Sequence, residues 1–61
     1  MRDWLRNKRL EKQLTQAQLA KMVGADATMI SKIEVGDRRP SVELAKKIAE
    51  ALGFDWTRFY E

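Results

Sequence analysis

Side chains suited to recognise a partner lie on one face of a short predicted helix, residues 27–35. At about 100° per residue, Ile30, Ile33 and Glu34 share the inward side of this helix. The outward side offers hydroxyl, ammonium and small apolar groups, which suit hydrogen bonds and van der Waals contacts. Its members are Thr28, Ser31, Lys32 and Val35.

Catalysis is not expected from this composition. The 61 residues include no histidine and no cysteine, so a zinc finger, a thiolate metal site, a disulfide and histidine-based acid–base chemistry are excluded. The carboxylates are spread singly along predicted helices and form no convergent set. We therefore expect no enzymatic activity, no metal site and no cofactor.

Two short helices and the turn between them must position the outward face. The first is predicted over residues 16–23, with Thr15 as its N-cap, because a threonine hydroxyl can accept a hydrogen bond from a first-turn N–H. Gln18 completes a possible capping box. Gly24 ends the helix, since a left-handed backbone is nearly free for glycine.

The second helix begins after Asp26, a short polar side chain suited to capping, and ends at Gly36. Two helices that cross steeply after such a short turn need a small side chain where they touch, and Ala20 fits that position. The apolar residues that face this contact are Leu19, Ala20 and Val23 on the first helix, and Ile30 and Ile33 on the second.

This segment resembles the helix-turn-helix of the Xre family, the phage-repressor-like regulators. The flanking stretches LRNKRL and RRPSVELAKKIAEALG look like the outer helices of that family, so the resemblance covers nearly all 61 residues. It implies an all-α fold, a compact bundle of five short helices in one domain, 1–61, with the helix-turn-helix as helices 2 and 3. A helical hairpin without a nucleic-acid role is the alternative. The matching residues are Gln16, Leu19, Ala20, Val23, Gly24, Ile30, Ile33, Glu34 and Gly36.

The resemblance also implies where DNA would be contacted. In similar proteins the second motif helix lies in the major groove, which makes Ala27, Thr28, Ser31, Lys32 and Val35 the expected base contacts. Thr28 offers a hydroxyl or a methyl group, Ala27 can touch a thymine methyl, and Lys32 can donate to guanine. Val35 departs from the polar residue often found at its position. A solvated or phosphate-bound Lys32 is the alternative.

Phosphate contacts are expected around this helix. The family's glutamine at the position of Gln16 binds a backbone phosphate and buttresses the reading helix; a simple capping role is the alternative. Arg38 and Arg39 lie in the loop where relatives touch the backbone, and Arg6 and Lys8 are weaker candidates. Similar residues also imply a partly buried ion pair between Arg9 and Glu34, whereas Lys46 and Lys47 are expected on the solvated surface.

The distribution of charge agrees with a nucleic-acid partner. The net charge is +3 and the pI is near 9.6. Basic residues are in excess in residues 1–14 and 37–47, while the motif between them is neutral. Basic ends around a neutral reading element suit a phosphate backbone on either side of a groove, although small helical proteins are often slightly basic.

The outer helices are predicted from periodicity and capping residues. Residues 3–12 form the first helix, with Asp3 as its cap and Trp4, Leu5 and Leu10 as its apolar members; Gln13 leaves its end open. After a loop around Pro40, Ser41 caps a helix that stops at Gly53, and Asp55 caps a last short helix, 56–60. The apolar positions of the fourth helix are Val42, Ala45, Ile48, Ala49 and Leu52.

Four of the five aromatic residues lie within the last eight positions. We expect Phe54 and Trp56 to pack under the fourth helix, against Trp4 or Leu5, and Phe59 or Tyr60 to remain exposed. In similar proteins this end lies beside the two-fold axis of the DNA-bound dimer, so the tail predicts a symmetric dimer. The alternative is that the aromatics only complete the monomer core.

Together these features predict a sequence-specific DNA-binding transcriptional regulator, with repression as the expected sign. Its partners would be double-stranded DNA and a second copy of the chain on a two-fold operator. No membrane span or signal peptide is apparent, so a cytoplasmic, nucleoid-associated protein is expected. The alternative function is an antitoxin-like or other protein-interaction module built on the same helices.

Overall fold

The computed structural model describes all residues, 1–61, and contains four α-helices and one 3₁₀ helix. The α-helices are α1 (Asp3–Glu11), α2 (Gln16–Val23), α3 (Ala27–Val35) and α4 (Val42–Leu52). The 3₁₀ helix spans Trp56–Tyr60. The predicted all-α bundle with a central helix-turn-helix is confirmed, and its fifth helix is of the 3₁₀ type. None of these helices is long and apolar enough to cross a membrane.

Capping hydrogen bonds fix where the motif helices begin. Thr15 Oγ1 accepts from the Gln18 N–H at 3.0 Å, and Gln18 Oε1 accepts from the Thr15 N–H at 2.8 Å, which completes the capping box. Asp26 accepts from the Met29 N–H at 2.7 Å. Gly24 takes the left-handed conformation, φ 73°, so α2 ends where the turn into α3 requires it.

The outer helices are capped in the same way. Ser41 accepts from the Leu44 N–H at 3.1 Å at the start of α4. Asp55 accepts from the backbone N–H of Thr57 at 3.0 Å and from its hydroxyl at 2.9 Å. The backbone bond and then the hydroxyl bond lower the pKa of Asp55, because both stabilise the carboxylate.

The start and end of α1 differ from the prediction. Asp3 is the first helical residue rather than the cap; the cap position is Arg2, whose side chain makes no capping hydrogen bond. Asp3 instead adds negative charge to the first turn, where the helix dipole favours it. The helix ends at Glu11. Gln13 follows with φ 59°, a left-handed conformation that glycine adopts more easily than other residues.

The core fills the space among all five helices. Its centre consists of side chains that are fully buried or nearly so, and Ala20, 2% exposed, lies among them. Trp4, Phe54 and Phe59 extend this core with ring centroids 5.1–5.6 Å apart. The largest fully buried side chains are Leu5, Leu19, Ile30, Ile33 and Ile48.

Two apolar side chains do not lie where the sequence pattern predicted. Leu10 is half exposed, because it lies about 140° around α1 from Leu5 at 100° per residue. Val42 is also half exposed, although Ala45, three residues later on α4, is fully buried. Of the two tail aromatics between which the prediction left the exposed one open, Tyr60 is exposed and Phe59 is buried in the aromatic cluster.

Candidate nucleic-acid interface

The outward face of α3 and the start of α2 form one continuous surface. Thr28 and Lys32 are exposed, and Ala27 and Ser31 are half-buried beside them. These four side chains and Gln16 line a shallow depression of about 320 Å³. Four of the five predicted base contacts are therefore brought together with the predicted phosphate-binding glutamine.

Val35 and Arg6 border a second depression next to the first. This depression has a volume of about 220 Å³ and is also lined by Gln16, so the two share one wall. Val35 is 42% exposed, one turn along α3 from Ser31. The fifth predicted base contact thus continues the same face, with an exposed arginine of α1 beside it.

A hydrogen-bonded network lies under the second depression. Arg9 donates from Nε to Glu34 Oε2 at 2.7 Å and from Nη2 to Oε1 at 3.3 Å. Gln16 Nε2 donates to Glu34 Oε1 at 3.2 Å. Glu34 is the only carboxylate that lines either depression, and both its oxygens accept hydrogen bonds, so its charge is compensated within the protein.

The network also fixes the orientation of the Gln16 amide. Because the carboxylate of Glu34 can only accept when ionised, the amide nitrogen of Gln16 must face it. One N–H of that nitrogen is used, and the second remains for another acceptor. The capping box of α2 is made by Thr15 and Gln18, so a simple capping role for Gln16 is not what the contacts show.

The loop after α3 carries two exposed arginines. The carbonyl of Lys32 accepts from the N–H groups of Gly36, Asp37 and Arg38 at 3.1, 2.9 and 3.3 Å, which ties the start of this loop to the helix. The guanidinium of Arg39 lies over the Tyr60 ring, 5.7 Å from its centroid. Arg38 is therefore free of side-chain partners, whereas Arg39 is engaged with the C-terminal aromatic.

Two residues relate to this surface in ways the sequence did not indicate. Lys8 is half-buried and lines neither depression. Arg2, which nothing in the sequence singles out, donates to the carbonyls of Ile33 and Arg38 at the C-terminal end of α3. Its partners are 31 and 36 residues away in the sequence. Because every residue has a backbone carbonyl, the sequence does not indicate which ones accept a hydrogen bond from Arg2.

The comparisons with known proteins agree with this architecture. A family model described as helix-turn-helix, HTH_3, matches residues 5–59. The chain belongs to this Xre/Cro-like helix-turn-helix family, as its resemblance predicted. The match assigns it to a class of DNA-binding transcriptional regulators.

Two relatives carry names of the same class. The chain is 51% identical over 61 residues to the uncharacterized HTH-type transcriptional regulator YqaF of Bacillus subtilis (strain 168), covering 100% of this chain and 80% of the relative. It is 45% identical over 53 residues to an uncharacterized HTH-type transcriptional regulator of Methanothermobacter thermautotrophicus, covering 87% and 77%. No solved structure matches the chain significantly.

Proposed function

We propose that the chain is a non-catalytic repressor that binds a two-fold operator as a homodimer, with α3 in the major groove. It would act in the cytoplasm, on the nucleoid. The observation that carries this proposal is the continuous surface formed by Gln16 and the outward face of α3. The two depressions on this surface are lined by no carboxylate other than the compensated Glu34, which suits contact with a phosphate backbone.

Base recognition is assigned to the outward side chains of α3. Lys32, exposed near the middle of the helix, would donate to O6 and N7 of a guanine. Ala27 and Val35 have only methyl groups to offer and would contact thymine methyls, while Thr28 and Ser31 can use hydroxyls. We therefore expect a half-site with a guanine next to thymines.

Phosphate contacts would set the register of the protein on the duplex. The second amide N–H of Gln16 and the N-terminus of α2 provide donors at one end of the surface. The exposed Arg6 and Arg38 provide charges on either side. Lys8 and Arg39 would contribute to DNA binding only through long-range attraction to the phosphates, or after their side chains rearrange.

The homodimer would form through a surface that we call the dimer face: Val42, Lys46, Trp56 and Tyr60. Lys46 lies over the Trp56 ring at 5.2 Å, and the Trp56 and Tyr60 rings are 5.9 Å apart. Val42 is one turn before Lys46 on α4 and, like Tyr60, is nearly half exposed. Exposed apolar groups on a surface this small favour association of two copies.

Selection of binding sites from a random pool of duplex DNA tests the function. We expect an inverted repeat whose half-sites are one helical turn, about 34 Å, apart. Binding should weaken steeply with salt, because phosphate contacts release counterions. Repression itself would be measured with a reporter gene placed behind the selected site.

Three outcomes would contradict the proposal. Recovery of no preferred sequence, with binding independent of salt, would exclude a sequence-specific regulator. Activation of the reporter would contradict repression but not DNA binding. Tight binding to a co-expressed protein, without DNA binding, would favour the antitoxin-like alternative.

A further inference from the structure

Arg2 joins the start of the chain to the C-terminal end of α3. Its Nη1 donates to the carbonyl of Ile33 at 2.7 Å and to that of Arg38 at 3.3 Å. Its backbone N–H donates to the carbonyl of Glu34 at 2.7 Å. Arg2 therefore contacts both the C-terminal end of α3 and the loop that follows it.

Two of these carbonyls, those of Ile33 and Glu34, belong to the last turn of α3, and the Ile33 carbonyl also accepts from the Gly36 N–H at 3.2 Å. The last four carbonyls of an α-helix have no intrahelical N–H, and α3 ends at Val35. Arg2 supplies donors to the carbonyls of Ile33 and Glu34, and its positive charge lies where the helix dipole favours a cation. The contact is therefore stabilising by hydrogen bonding and by charge.

The backbone of Arg38 is hydrogen-bonded at both its N–H and its carbonyl. The Arg38 N–H donates to the carbonyl of Lys32 at 3.3 Å, and the Arg38 carbonyl accepts from Arg2 at 3.3 Å. The side chain of Arg38 has no partner of its own in the protein and projects from this anchored backbone. The fold thus fixes the backbone from which the Arg38 side chain projects but does not fix the position of its guanidinium.

The guanidinium of Arg2 is held in place by the aromatic cluster. It lies 5.8 Å from the centroid of the Phe59 ring, and Phe59 is 6% exposed. Phe59 in turn packs on Trp4 and Phe54. Because a stacked, half-buried guanidinium has few alternative positions, Arg2 can act as a rigid bridge between the core and the loop.

We propose that Arg2 is a positioning residue that holds the 36–39 loop so that Arg38 meets a DNA phosphate. This inference rests on the proposed function and adds a residue to it. Arg2 does not touch DNA in this role; its side chain is directed to protein carbonyls and acts through Arg38. Loss of Arg2 should therefore free the loop and weaken the phosphate contact that Arg38 makes.

A double-mutant cycle between Arg2→Ala and Arg38→Ala measures this dependence in DNA binding. We expect Arg2→Ala to weaken operator binding about tenfold, equivalent to about 1.4 kcal/mol, and to lower the salt slope as Arg38→Ala does. In the Arg38→Ala background, Arg2→Ala should have little further effect. Each variant is measured under conditions where denaturant unfolding shows it to be folded.

Two further variants separate positioning from charge and from stability. Arg58→Ala removes an exposed arginine that also lies over an aromatic ring, 4.5 Å from the Trp4 centroid, but has no contact with α3; it should retain affinity. Arg2→Lys keeps the charge and hydrogen-bond donors but lacks the planar guanidinium that lies over the Phe59 ring, so we expect only partial recovery. Full recovery by lysine, or equal losses from Arg2→Ala in both backgrounds, would overturn the proposal.

Amide hydrogen exchange in the free protein provides a readout that does not need DNA. Residues 36–39 should exchange faster in Arg2→Ala than in wild type or in Arg58→Ala. Unchanged exchange in this loop would overturn the positioning role, whatever the result with DNA. If the wild type binds no DNA but the loop still loosens, the proposed function fails and the role of Arg2 in holding the loop stands.

Discussion

Arg9 and Glu34 form a nearly buried ion pair where three helices meet. Arg9 Nε lies 2.7 Å from Glu34 Oε2, and the two side chains are only 9% and 5% exposed. Arg9 also donates to the carbonyl of Leu14 at 2.8 Å, and Glu34 also accepts from Gln16. The pair thus connects α1, the entry to α2, and α3, and it holds the inward edge of the proposed reading helix.

Removing one partner of this pair should destabilise the protein strongly. We expect Arg9→Met or Glu34→Gln to lower the free energy of unfolding by about 3–5 kcal/mol, because each leaves the other member of the pair buried without its charged partner. The double variant should lose less than the sum of the two. Denaturant unfolding of all four proteins measures the coupling energy.

The exposed pair Glu43–Lys47, 3.5 Å apart at (i, i+4) on α4, is the matched control. A cycle on that pair should give about 0.5 kcal/mol or less, because both groups remain solvated. Equal coupling energies for the buried and the exposed pair would contradict the importance given to burial.

Enlarging Ala20 should force α2 and α3 apart. Ala20 is 2% exposed and belongs to the core that α2 and α3 share, and overpacking of a well-filled core typically costs about 1–3 kcal/mol. Ala20→Leu should therefore lower thermal stability and operator affinity together. Ala17→Leu, at an exposed position of the same helix, should leave thermal stability nearly unchanged. A stable Ala20→Leu variant with normal affinity would mean that the helices do not depend on a small residue here.

Lys32 and Arg38 should differ in what they contribute to binding. Lys32→Ala should relax discrimination at one position of each half-site, by about 1–3 kcal/mol for a good bidentate contact. Arg38→Ala should weaken binding to all sequences and lower the salt slope by about one. Binding measured on the operator, on single-base variants and at several salt concentrations separates these effects. Identical profiles for the two variants would remove the distinction between base reader and phosphate contact.

Features set by nearby residues could be predicted from the sequence. The caps at Thr15, Asp26, Ser41 and Asp55 each depend on an N–H two or three residues away, so the signal lies within one turn. The ends of α2, α3 and α4 coincide with glycines that take positive φ. The inward and outward faces of α3 could also be predicted, because helical periodicity depends only on residues close in sequence.

Features set by distant contacts could not be predicted in this way. Which aromatic of the tail is buried depends on Trp4, 55 positions before Phe59, and the pattern of the tail alone favours neither Phe59 nor Tyr60. Arg2 is recognisable only once the carbonyls of α3 are located in space. Periodicity also overestimated the core at Val42, which is 48% exposed, because periodicity gives the face of a helix on which a residue lies but not whether another element covers it.

The carboxylate of Asp55 should make stability sensitive to acid. Hydrogen bonds from Thr57 lower its pKa from 3.8, so the folded state holds the proton less tightly than the unfolded state. Its contribution is therefore present above pH 3.8 and lost as the pH falls through the lower folded-state value. Unfolding measured against pH should show this loss in wild type and not in Asp55→Asn. The same acid dependence in both proteins would assign it to other carboxylates.

The dimer face should control assembly on the operator. A charged, strongly hydrated side chain here would remove the apolar area on which a symmetric contact depends, so Val42→Glu and Tyr60→Glu should prevent pairing of two copies. The variants should fold, because both side chains are nearly half exposed in the monomer. Met22→Glu is the control: Met22 is 58% exposed but lies on α2, outside the dimer face.

Sedimentation with and without operator DNA decides this prediction. We expect wild type and Met22→Glu to be weakly associated alone and to bind as two copies per operator, with one transition. Val42→Glu and Tyr60→Glu should bind half-sites independently and with lower affinity, because contact between the copies no longer reinforces the second binding event. If wild type binds one copy per site, with no half-site symmetry, there is no dimer, and Trp56 and Tyr60 serve only the monomer fold.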